Sequence, residues 1–171
     1  NASDKWILSE LDNLIKECKK GYDDYNFFVP AIAIREFTWN VFAAHYIEMA
    51  KARAYGIEFS DEERDGAIFT LHKTLSTILK LLAPITPFIT EYLWKILYSD
   101  ESIHKQKQVE SENTEDQSDI TKEITEFNSK VWNEKKSQNL SLKDSIKIEI
   151  PENLKPFIKD LKSMHNLLDL N

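Results

Sequence analysis

The sequence predicts a mainly α protein, an antiparallel helical bundle with a small C-terminal helix–strand–helix appendage. Three observations predict it. Only three glycines occur in 171 residues, and glycine is what hairpin turns and phosphate-cradling loops require. Apolar residues recur three and four apart over long stretches, the period of a helix with one buried face. Start and stop signals bracket those stretches consistently.

Residues 4–20 form the first predicted helix. Ile7, Leu11, Leu14, Ile15, Cys18 and Tyr22 share its apolar face, with Ser3 as cap and Gly21 as stop. Residues 30–55 form the second, opened by Pro30 and ended by Gly56. Ile34, Phe37, Val41, Phe42, Tyr46 and Met49 make it apolar on more than one side, as expected of a central helix. Ser60 and Glu63 form a capping box at the head of a third helix. Its stripe is Ile68, Leu71, Leu75, Ile78, Leu79 and Leu82, and Pro84 ends it. Thr86 and Pro87 restart a helix, threonine as cap and proline in the first turn. This double-proline corner is expected to fold the fourth helix back, laying Phe88, Leu93 and Trp94 on the same core.

Beyond the bundle the pattern changes. Residues 99–119 are polar and read as a solvated linker. Residues 101–129 carry eight acidic and three basic groups, so most of the net charge of −7 sits there, while residues 130–171 are net basic. Ile120–Lys136 reads as another helix through Ile124, Phe127, Val131 and Trp132. Ser145–Ile150 alternates polar and apolar and is expected to be a short strand. Pro151 then opens a final helix through Phe157, Ile158 and Leu161. The expected division is a bundle over 1–98, an acidic linker over 99–119 and a small α/β subdomain over 120–171.

Several function classes fall away. Cys18 is the only cysteine, which excludes an internal disulfide and a thiolate metal cluster and suits a reducing cytoplasm. The longest apolar run is broken by Lys80 and two prolines, so no membrane span is expected. Glu101 and His104 have the spacing of a di-metal ligand pair, but only one such pair occurs and no metal role is expected. His45 and His72 lack a second ligand at useful spacing. No P-loop, GxGxxG, GxSxG or HExxH pattern is present. The chain is therefore expected to carry no catalytic constellation and no cofactor. Asn1-Ala2 reads as a remnant of cloning, and the chain as a piece of a longer one.

Two sets of residues suit RNA. Lys5 and Trp6 open the first helix, while Lys51, Arg53 and Tyr55 close the second; antiparallel packing brings both to one end of the bundle. Cations beside an exposed aromatic suit phosphates and unstacked bases. The second set is Lys130, Trp132, Lys135, Lys136 and Lys143. Spacing alone favours a core Trp6 and solvated cations in both sets.

The residues also carry a resemblance. Asp4-Lys5-Trp6-Ile7-Leu8-Ser9 followed by Leu11 resembles the opening of the anticodon-binding domain in class I aminoacyl-tRNA synthetases. Phe37-Thr38-Trp39-Asn40 with Phe42, then Tyr46-Ile47-Glu48-Met49 with Lys51, resembles the second-helix signature of the valyl branch. Leu81-Leu82-Ala83-Pro84, Pro87-Phe88-Ile89, Glu91 and Leu93-Trp94 are similar to the corner shared by the valyl, isoleucyl and leucyl members.

The resemblance implies a tRNA-binding module that faces the anticodon with Lys5 and Trp6, and more loosely Arg53. On this reading Trp6 is at least partly exposed and the proline corner is a packing device. The parent enzyme would use ATP with magnesium to attach valine to tRNA and would edit mischarged tRNA, in catalytic and editing domains upstream. The family's first helix would precede Asp4. The isoleucyl or leucyl equivalent, or a bundle that binds only protein, are the alternatives.

Overall fold

The computed structural model describes residues 1–114 and 116–168. Helix α1 (Ala2–Asp23) runs longer than its apolar pattern. Asn1, not Ser3, caps it: the Asn1 side chain accepts from the Ser3 amide at 3.4 Å. Gly21 does not end the helix but lies within it. A Cβ there would meet the Pro30 ring at 2.5 Å, so glycine permits α1 and the next helix to touch.

The second predicted helix is one continuous rod with three geometries: α2 (Phe28–Glu36), a π-helical segment (Phe37–Tyr46) and α3 (Ile47–Ala54). The wide π turn has a visible packing correlate. Phe37 and Phe42 are five residues apart, one residue too far for an α-helical column, yet their rings stack at 6.3 Å, and Tyr46 continues the stack four residues on at 5.9 Å. The rod ends as predicted near Gly56, whose φ is +68°. The Gly56 amide bonds the Arg53 carbonyl and the Ile57 amide that of Ala52, a Schellman closure.

Helix α4 (Asp61–Leu82) starts on the predicted capping box, with Ser60 and Glu63 bonded in both directions. Its buried face differs from the predicted stripe. Ile78 and Leu79 are buried as predicted and Leu71, Leu75 and Leu82 are partly buried, but Ala67, Thr70, Thr74, Thr77 and Leu81 also point inward, whereas Ile68 is exposed. Small β-branched residues allow the close approach; Thr70 satisfies its hydroxyl on the Gly66 carbonyl at 2.9 Å.

The corner holds α5 (Pro87–Leu97) as predicted, but with different contacts. Thr86 makes no side-chain cap. Phe88, expected in the core, is 90% exposed. Trp94 is buried in a separate small cluster with Leu79, Ala83 and Ile103. Ile103 belongs to the acidic stretch, and Glu91 draws it in by accepting from the Ser102 hydroxyl and the Ile103 amide, both at 2.9 Å.

That stretch, expected to be solvated, is tied down again further along. The Asp12 carboxylate accepts from the Glu112 amide at 2.7 Å and the Thr114 amide at 3.1 Å. Burial would raise the pKa of Asp12, but Lys16, Ser111 and those two amides outweigh it and hold it at about 2. Asn13 also bonds Asp116 at 2.9 Å.

The C-terminal part is helical. It comprises α6 (Ser118–Ser137), a 3₁₀ turn (Glu152–Phe157) and α7 (Ile158–His165). The predicted strand over residues 145–150 does not form. A single bridge pairs Ile146 with Leu167. Alternation does place Ile146, Ile148 and Ile150 together, but only Ile146 meets a backbone partner, and a lone bridge makes no sheet. Ile124, Phe127, Val131, Leu154, Phe157 and Leu161 share one core with Trp6, Tyr46 and Met49.

Candidate nucleic-acid interface

Asp4 and Arg53 join the start of α1 to the end of α3, and the members of the first candidate set differ in burial. Lys5 and Lys51 are exposed, and Lys51 pairs with Glu48 at 3.1 Å. Tyr55 is 75% exposed. Trp6, expected to show its ring, is fully buried. Its indole N–H donates to the Thr121 hydroxyl at 2.7 Å, which ties α1 to α6. A ring enclosed in this way has no face for a base.

Arg53 is also fully buried. Its guanidinium donates twice to Asp4, at 2.8 and 2.9 Å, and once to Asp160 at 2.8 Å. Tyr46 donates to Asp4 at 2.7 Å and Ser3 to Asp160 at 2.5 Å. Burial would raise the pKa of Asp4, yet the Arg53 and Tyr46 hydrogen bonds lower it below the usual carboxylate range. Asp160 goes the other way, raised by burial that its bonds from Ser3 and Arg53 do not offset. Arg53 fastens three helices and cannot meet a phosphate.

The second set is organised around the end of α6. Asn139 adopts φ +56°. The Leu140 amide bonds the Lys135 carbonyl at 2.8 Å and the Asn139 amide that of Lys136 at 3.1 Å, a Schellman closure with asparagine in place of glycine. Lys135, another RNA candidate, is buried. Its ammonium donates to the Leu142 and His165 carbonyls, each at 2.7 Å, and so pins the loop after α6 against α7. Burial lowers its pKa. Lys130, Lys136 and Lys143 are exposed.

Trp132 is half-buried and held on two sides. The His45 ring stacks on it at 5.7 Å and 20°, and His165 meets it edge-on at 6.0 Å. Asn128 lies between the imidazoles. Its amide donates to His45 Nδ1 at 2.9 Å, and its carbonyl accepts from His165 Nε2 at 2.8 Å. A His45 Nδ1 that accepts is unprotonated, so this ring is neutral. The rest of the Trp132 ring opens on a shallow hollow of about 530 Å³, lined also by Asn133, Lys136, Asn139, Leu140 and Leu142.

The relay makes the C-terminal packing acid-sensitive. Burial above all, and then the nearby Lys135 ammonium, lowers the His165 pKa to about 4. The unfolded chain takes up this proton near pH 6.5 and the fold refuses it until about pH 4. The stabilisation is present above pH 6.5 and is lost as pH falls through that window, about 3 kcal/mol in all. His165→Gln keeps a donor without the titration, so its melting temperature should fall less between pH 7 and pH 4.5 than the parent's. Parallel curves for the two proteins would remove His165 from the account.

The missed parts were the buried roles. Asp4 and Arg53 stood in the sequence as a carboxylate and a guanidinium on adjoining helix ends. Asp160 could not be paired with them without knowing that α7 returns to that end.

Comparisons with known proteins agree with this architecture. Residues 4–150 match the protein family described as the anticodon-binding domain of tRNA ligase. The chain is 36% identical to a valine–tRNA ligase of Pyrobaculum aerophilum, over 98% of the chain and 22% of the relative. It is 32% identical to that of Aeropyrum pernix, over 95% and 21%. For Archaeoglobus fulgidus the figures are 42% identity over 61% of the chain and 12% of the relative. The chain thus spans about a fifth of the length of the first two of these curated relatives. No helix among the described residues is long and apolar enough to cross a membrane.

Proposed function

The chain belongs to the family of anticodon-binding domains of tRNA ligases, and we propose from this that it is the anticodon-binding module of a valine–tRNA ligase. One observation carries the reading: similarity to ligases of a single amino-acid specificity extends over nearly the whole chain. The longer protein would attach valine to its tRNA in the cytoplasm, using ATP and magnesium, and would remove mischarged residues. A hydrophobic pocket cannot strongly reject an isostere that adds a hydroxyl, which is why editing is needed. Those reactions belong to domains upstream of this one. This module contributes binding energy and orientation.

Contact with tRNA falls to the exposed cations and aromatics. Lys5, Lys51 and Tyr55 offer one surface, and Trp132 with Lys130, Lys136 and Lys143 another. A protein-facing surface is also supported. Phe88, Ile89, Tyr92 and Ile96 are exposed along α5, an apolar stripe suited to the remaining domains of the same polypeptide.

The test is binding of a valine tRNA transcript by the intact protein, beside the same transcript with its anticodon bases exchanged. Exchange is expected to weaken binding, each lost base contact by about 1–3 kcal/mol. Equal affinity for both transcripts would overturn the anticodon role.

A further inference from the structure

We infer that the hollow beside Trp132 seats one unpaired nucleotide of the bound tRNA, its base stacked on the indole and its phosphate near Lys136. The inference rests on the tRNA-binding reading above and assigns it a place.

The chemistry of the lining points to a nucleotide. Sequence-tolerant recognition of an unstacked base needs a rigid aromatic surface, hydrogen-bonding groups for the base edge and a cation for the phosphate. All three converge here. The Trp132 ring is immobilised by His45 on one face and His165 at its edge, so little side-chain freedom remains to be lost when a base stacks. A base on the open side would extend the existing His45–Trp132 stack by one member.

The side-chain amides of Asn133 and Asn139 line the same hollow, and both residues are exposed. Each offers a donor and an acceptor to a base edge. Lys136 is exposed and lies one helical turn beyond Trp132. The walls are fixed as well, since the buried Lys135 ammonium holds the Leu142 carbonyl at 2.7 Å. This gives Lys135 a purpose that its sequence position did not show: it shapes the receptacle without touching the ligand. A hollow of about 530 Å³ is of the size that holds a small molecule.

The competing cavity lies at the proline corner, about 510 Å³ and floored by Ile15, Leu81 and Pro84. Two of its lysines are engaged. Lys19 pairs with Asp23 at 3.5 Å, and Lys80 sits 5.1 Å over the Trp94 ring. The cavity's aromatic rings are Tyr22 and the half-exposed Phe27, which meet edge-on at 5.5 Å, so neither extends a parallel stack as a base on Trp132 would extend that with His45.

The experiment titrates the intact protein with a valine tRNA transcript and, separately, with the four free nucleoside monophosphates. Trp132→Ala should weaken tRNA binding about 5- to 150-fold, the range for one lost base stack, and Trp132→Phe should recover most of it. Lys136→Ala should weaken binding and flatten the log–log salt dependence by about 0.7. It changes only an exposed side chain, so it keeps the test valid if Trp132→Ala fails to fold. Wild-type affinity in both Trp132→Ala and Lys136→Ala, or in Lys136→Ala with no gain of Trp132 protection on binding, would overturn the inference while leaving the tRNA reading intact. A wild-type protein that binds no tRNA would overturn both. Tight binding of a free monophosphate at Trp132, with tRNA affinity unaffected by either variant, would place a small-molecule site here and would also sink the proposal.

Discussion

Replacing Arg53 by alanine is expected to cost about 3–5 kcal/mol of folding stability, the range for removing one partner of a buried ion pair. The side chain is fully buried and bridges Asp4 and Asp160. Truncation leaves two carboxylates in a region with little water, with Tyr46 still donating to Asp4 and Ser3 to Asp160. Urea unfolding monitored by circular dichroism measures the loss. The pH dependence should invert as well. In the wild type Asp4 has a depressed pKa, so its contribution is present above the ordinary carboxylate range and is lost as pH falls through the lowered value. Without Arg53 both acids become easier to protonate when folded than when unfolded. The variant should therefore gain stability as pH falls toward 4, and the gap to wild type should narrow. Arg53→Lys keeps the charge but not the fork that bonds two acids at once, and should recover only part of the loss. A cost below about 1 kcal/mol would mean that the triad is no more than a surface pair.

The same cluster shows what could be read in advance. Helix α4 and the corner were legible because their signals are local: a capping box at Ser60, and prolines at 84 and 87. The central rod was legible because it is apolar on more than one side, although nothing in the periodicity marked its π segment. Faces were harder. Thr70, Thr74 and Thr77 recur at helical spacing, but a polar class hides small β-branched residues that fill a tight interface. Phe88 shows the converse, since a large apolar side chain does not specify which surface covers it. Isoleucine alternation at 146–150 was real, but a strand needs a second strand. In the candidate interface, residue type gave the location and not the role. Arg53 and Lys135 are cations whose charge is consumed inside the fold, and only their long-range partners reveal it.

Trp6→Ala tests the sharpest of these distinctions, and about 3–5 kcal/mol of stability should be lost. A buried tryptophan removes some 150–250 Å² from water, and truncation leaves a cavity that helix packing cannot close. The ring is fully buried within the main core. It also carries the 2.7 Å bond to Thr121, so α1 and α6 should loosen together. Two smaller changes divide the total. Thr121→Val removes the acceptor and keeps the shape, at about 1 kcal/mol for one hydrogen bond with the indole N–H left unpaired. Trp6→Phe loses that bond and part of the ring, and should fall between the other two. The readouts are the unfolding free energy of each variant and its tRNA affinity at a temperature where it remains folded. Stability should fall in the order alanine, phenylalanine, valine, while discrimination between the valine anticodon and an exchanged one stays constant. The contrary result is specific. If Trp6→Ala unfolds at the wild-type temperature yet no longer distinguishes the two anticodons, the indole reaches the RNA, and the burial that assigns it to the core does not persist in the complex.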